Sequence, residues 1–241
     1  MIRERLGVNS MASANFFDGL IGNISPVVAL YKDIVGSGVR VECFPGGRSP
    51  YTGNGGTFAT ADWHSNEGVW KIYFPAGAHA HQVYHELLHI RFKNVEGAPV
   101  MAASIHEAQL RRNVEELNND FDHAYVVPLE IATYSEAAVY WEADFTRVLE
   151  GLPPPSSEQV NVAQRKITLL RGWLILPNSM PTATVTHLFR RELASGGWLD
   201  AANELIHRVR VAGANKALAV QAFREALGFD FPPAAKVTFL I

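Results

Sequence analysis

The stretch GVWKIYFPAGAHAHQVYHELLHIRF, residues 68–92, changes its character halfway. Its first seven residues are rich in β-branched and aromatic side chains. With FATADW at 58–63, across the connection HSNEG, they read as a β-hairpin. From His79 to about Lys93 nothing breaks a helix, and Asn94 and Gly97 supply its end. A hairpin that runs through PAGA directly into a helix sets an α+β class. Four of the nine histidines, His79, His81, His85 and His89, fall in this one helical segment.

Working outward, ISPVVALYKDIV at 24–35 reads as a helix with Ser25 as its cap and Pro26 in its first turn, closed by Gly36 and Gly38. VRVECF at 39–44 reads as a strand, and PGGRSPYTGNGGT at 45–57 as a loop, because glycine and proline punctuate it too densely for any regular element. Downstream, a helix is expected over about 100–124, stopped before Pro128, and another over about 129–150. GLPPPSSEQ at 151–159 reads as a Pro-rich linker, followed by three or four helices, among them VAQRKITLLRGWLIL and KALAVQAFREAL. The expected organisation is therefore a domain over 1–150 with a small antiparallel or mixed sheet packed on helices, a linker at 151–159, and a mainly helical region over 160–241.

Composition narrows the function classes. Hydrophobic residues make up 48% of the 241 and charged residues 19%, the balance of a chain that buries a core. The formal charge of −3 leaves no basic field to hold a polyanion, so nucleic acid is not the expected partner. One cysteine, Cys43, can form neither an internal disulfide nor a multi-thiolate metal site, so any metal must be held by His and carboxylates. Polar residues interrupt the first 23 positions where a signal peptide would need an apolar run, and no segment has the length and apolarity of a membrane span. The expectation is a cytoplasmic protein that keeps clear of membranes.

HELLH, 85–89, has a mechanical meaning on a helix. Each residue advances about 100°, so His85 and His89 lie one turn apart on one face and can turn two imidazoles to one point. Two metal ligands at that spacing, with the intervening Glu86 beside the metal, are the content of the HExxH pattern. Random placement of this chain's His and Glu produces the pattern with a probability of about 2%, so coincidence is a poor explanation. A catalytic zinc needs a third protein ligand. In RRNVEELNNDFDHAYVVP, 111–128, the apolar residues Leu110, Val114, Leu117 and Phe121 form a core stripe. Glu116, Asp120 and His123 lie within about 60° of one another on its flank, while Glu115 points away.

HELLH followed by a helical ELNND at 116–120 resembles the gluzincin branch of the zincin metallopeptidases, over roughly residues 68–125. The resemblance implies Zn2+ bound by His85, His89 and Glu116, with Asp120 buttressing a histidine ligand. It implies hydrolysis of peptide or protein substrates with Glu86 as general base. WKIYF likewise resembles the edge strand on which zincins lay an extended peptide. The chain departs from the pattern in a long gap between His89 and Glu116 and in Glu115 at the place of an expected Asn. Glu107 competes as third ligand, though Arg111 rather than an acid follows it by four.

Around that core, His123 is a candidate catalytic donor to an oxyanion, or else a helix-end histidine meeting carbonyl dipoles, and Tyr125 is a weaker candidate for the same donor. His81 shares the ligand face with His85, so a closed structural site including His79 or His81 is the competing reading of the histidines. A zincin-shaped protein without peptidase activity, acting as a binding or regulatory module, is the other. Trp141 and Trp173 read as core.

Overall fold

The computed structural model describes residue 17, residues 19–47, residue 49, and residues 58–155 and 158–240. The N-terminal reading and most of the 45–57 loop lie outside the described residues. The fold is α+β, with eight α-helices and two small sheets among those residues. The chain divides into two units, Met1–Glu96 and Gly97–Ile241. The Pro-rich stretch at 151–159 therefore falls inside the second unit.

In the first unit, α1 (Ser25–Gly36) and α2 (Ala80–Asn94) pack against each other beside a three-stranded sheet of β1 (Val41–Pro45), β2 (Thr60–His64) and β3 (Val69–Phe74). The strand order is β1, β3, β2, with β1 parallel to β3 and β2 antiparallel to it. WKIYF is thus the central strand, hydrogen-bonded on both sides, and not the edge that its resemblance implied. The hairpin itself is as the sequence indicates, but β1 takes the far side of β3. That pairing is set between residues some thirty positions apart, where local periodicity carries no information. Val27, Ile34, Val69, Ile72, Phe74, Val83, Leu87 and Ile90 are all buried and form the core of this unit.

The second unit opens with β4 (Val100–Ala103), then α3 (Ala108–Thr133), α4 (Ala137–Glu150), α5 (Gln159–Ser179), α6 (Thr184–Ser195), α7 (Leu199–Ala212) and α8 (Lys216–Leu227), and closes with β5 (Val237–Leu240). The expected helix from 100 starts eight residues late because VMAA pairs antiparallel with the C-terminal VTFL, a partner that only the tertiary fold supplies. α3 also runs through Pro128. A proline inside a helix costs about 3 kcal/mol, but Val126, Val127 and Glu130 on either side of it are buried. Burial of that turn outweighs the lost hydrogen bond. α3 ends instead at Tyr134, whose extended backbone separates it from α4.

α3 and α5 form the main helix contact of this unit. The core stripe read from the sequence, Leu110, Val114, Leu117 and Phe121, is buried, with Phe121 set edge-on to Phe223 of α8. α5 and α6 approach closely at Gly172, where an added Cβ would lie 2.8 Å from Phe189 Cζ. No helix among the described residues is long and apolar enough to cross a membrane.

Candidate metal centre

α2 sorts its residues by face. Ala80, Val83, Leu87 and Ile90 follow the 3, 4, 3 spacing of a buried stripe, and His81, His85 and His89 form the adjacent row four apart. His89 is only 7% exposed and His81 5%, while His85 is half-buried. The Nε2 atoms of His85 and His89 stand 3.1 Å apart, with the rings at 74° and their centroids 4.7 Å apart. Two nitrogens bound at 2.0–2.1 Å to a tetrahedral zinc lie about 3.3 Å from each other, so this spacing suits a shared cation. Glu86 is half-buried on the same turn. His79 precedes α2 at its N-cap with its ring 5.8 Å from that of His81.

The flank of α3 holds the other residues singled out from the sequence. His123 meets Trp141 of α4 edge to face at 5.1 Å. The Trp141 indole donates to Glu130 Oε2 at 2.9 Å, and Glu130 is 1% exposed. Glu116 and Asp120 converge on Arg171 of α5. Arg171 Nη1 donates to Glu116 Oε2 at 2.8 Å, and its Nε donates to Asp120 Oδ2. Burial raises the Asp120 carboxyl above its usual range, opposed by the Arg171 guanidinium. The Arg171 guanidinium is itself raised by its two carboxylates, against burial. Glu115 faces solvent, as its place on the wheel indicates, with Arg111 3.9 Å away.

Glu107 and Tyr125 have partners within the second unit. Glu107 sits at the N-cap of α3 with Lys236 3.4 Å from its carboxylate. The Tyr125 hydroxyl donates toward the carbonyls of Val209 and Gly213, at 2.9 and 2.7 Å, and so ties α3 to the end of α7. Lys216 and Asp122, both buried, pair at 2.5 Å, and Lys216 Nζ also donates to Asn118 Oδ1 at 2.8 Å. That network fastens α8 to α3.

Sequence reading missed Arg171, Glu130 and Lys216. Glu130 lay beyond the expected stop at Pro128, although it follows His123 by two helical turns. Arg171 is 51 residues from Asp120 and carries no local signal of its partner.

Among the described residues, the side chains that could hold a metal ion are His85 and His89 of the first unit, with His123 of the second as the further imidazole that could complete a set of three. Three imidazoles without a thiolate are the donor set of catalytic rather than structural zinc, so the residue types fit the ion that the HExxH pattern implies. The chain matches no protein-family profile, no curated protein and no solved structure.

Proposed function

We propose that this protein is a zinc-dependent peptidase in which His85, His89 and His123 hold the ion and Glu86 is the general base. The observation that carries the reading is the convergence of His85 and His89 Nε2 to 3.1 Å on one face of α2. His123, rather than Glu116, is taken as third ligand. A third imidazole completes a known catalytic-zinc donor set, whereas the Glu116 carboxylate is engaged by Arg171.

A zinc ion there would polarise a substrate carbonyl and lower the pKa of a water. The protein's own part is to hold three neutral imidazoles in place and to handle the proton. Glu86 follows His85 directly, and its carboxylate takes the proton of the attacking water and passes it to the departing amine. The buried apolar row Val83, Leu87 and Ile90 fixes α2, so the two imidazoles and Glu86 keep their relation without reorganising. Trp141, braced through its indole N–H by Glu130, walls the His123 ring and restricts its rotation.

Metal analysis of the purified protein, paired with a peptide-library digest, tests the proposal. The expected outcome is one zinc per chain and cleavage that falls about 10²–10⁴-fold in Glu86→Gln with zinc retained. A chain without zinc, or cleavage indifferent to Glu86, would contradict it. Zinc held but no peptide cleaved by the wild type would point instead to a metal-bearing binding module.

A further inference from the structure

A cavity of about 370 Å³ opens in the second unit beside His123. Its size lies in the range of sites that take a small molecule or one side chain. Two kinds of wall line it. Tyr140, Trp141 and Phe145 of α4 give it an aromatic side, with Trp141 and Phe145 tilted at 6.0 Å. Glu116, Asp120 and Asp144 give it carboxylates, against the single guanidinium of Arg171.

The charge balance decides what suits this space. Arg171 is held by two acids at once, through Nε to Asp120 and Nη1 to Glu116, so that group of three keeps an excess negative charge. Asp144 adds another, and its partner Arg147, 3.3 Å away, is mostly exposed and is not part of the lining. An anion entering the cavity would meet three carboxylates. A neutral apolar group would strip water from them without repaying it. A cation on an aliphatic stem satisfies both walls: the stem lies along Trp141 and Phe145, and the head reaches the carboxylates and the aromatic faces.

We propose that this cavity is a binding pocket for a basic side chain, lysine or arginine, of a peptide substrate. The assignment rests on the reading of His123 as a metal ligand, because the pocket then lies next to the reacting bond. It narrows the substrate class to peptides with a basic residue beside the cleaved bond.

The test separates the pocket from the chemistry. The full-length chain, stripped of metal, is titrated with N-acetylarginine amide and with N-acetylcitrulline amide, its uncharged isostere, by calorimetry. The arginine compound should bind at least about tenfold more tightly, the worth of one charge-assisted hydrogen bond. Asp144→Asn and Glu116→Gln should each remove most of that difference while leaving the circular dichroism spectrum unchanged. Equal affinity for the two compounds, no binding of either, tighter binding of N-acetylglutamate amide, or a preference that survives both substitutions would overturn the pocket. Zinc-dependent cleavage with no preference for basic residues would refute the pocket alone. Selective arginine binding by a chain that takes up no zinc would uphold the pocket and refute the peptidase reading.

Discussion

Two helices of this protein carry polar residues four apart, and the structure puts them to different uses. On α2, His85 and His89 turn their Nε2 atoms to within 3.1 Å of each other. On α3, Glu116 and Asp120 have the same spacing, yet both carboxylates go to the guanidinium of Arg171 on α5. The i, i+4 rule predicts which side chains share a face, and it holds in both cases. It does not say what the face will meet. Two imidazoles meeting each other can share a cation, whereas two carboxylates already meeting an arginine make a helix-to-helix tie. A sequence pattern such as HExxH followed by ExxxD is therefore two statements of unequal strength: the first is complete within one helix, and the second depends on a partner elsewhere.

Substitutions that treat the two faces differently would break or sharpen this contrast. The largest effect is expected at α2. His89→Ala should weaken zinc binding at least about 100-fold, because loss of a direct ligand must exceed the 10–100-fold cost of losing a group that merely orients one. Equilibrium competition against a zinc chelator measures it, and a change under about threefold would remove the distinction. Next, Asp120→Ala takes one acid from Arg171, whose side chain is 27% exposed, and should lower stability by about 2–3 kcal/mol in urea unfolding while zinc affinity stays unchanged. A parallel loss of zinc would return Asp120 to the metal.

Smaller effects follow away from both faces. Cys43 on β1 is buried and its thiol is pushed up to about 12. The unfolded chain loses this proton near 9.0, while the folded chain keeps it to about 12. Stability therefore falls as pH rises through that window, by about 1.4 kcal/mol per unit from this one group. Cys43→Ala should flatten the alkaline slope by nearly that amount, as read from unfolding curves at pH 10–11. An unchanged slope would contradict the assignment. The smallest change is expected for Glu116→Gln. The Glu116 side chain is 55% exposed, so losing its charge beside Arg171 should cost about 0–1 kcal/mol in the same unfolding assay.

How far the sequence could be read depends on where each element's partner lies. The hairpin, α2, the buried stripe of α3 and the helical C-terminal part are legible because their signals are local: alternation, 3.6-residue spacing, glycine and proline punctuation. The α+β class follows from these alone. Three features were not legible. VMAA at 100–103 is a strand because VTFL at the far end of the chain pairs with it. Pro128 fails to end α3 because its neighbours are buried by tertiary packing. The middle position of β3 reflects the parallel pairing of β1, a non-local choice. The site divides in the same way. His85, Glu86 and His89 are visible within five residues, while on α3 the sequence points to Glu116 as third ligand and to His123 only as an oxyanion donor. The partner that occupies Glu116 and Asp120 comes from α5, with nothing near it in the sequence to announce it.

The direct measurement is a zinc titration, by calorimetry on metal-stripped protein, of the wild type beside His123→Ala and Glu116→Ala. With His123 as third ligand, His123→Ala should lose at least about 100-fold in affinity, and Glu116→Ala should bind zinc as the wild type does. The reverse order, with Glu116→Ala crippled and His123→Ala intact, would contradict the three-histidine site and restore the carboxylate as ligand.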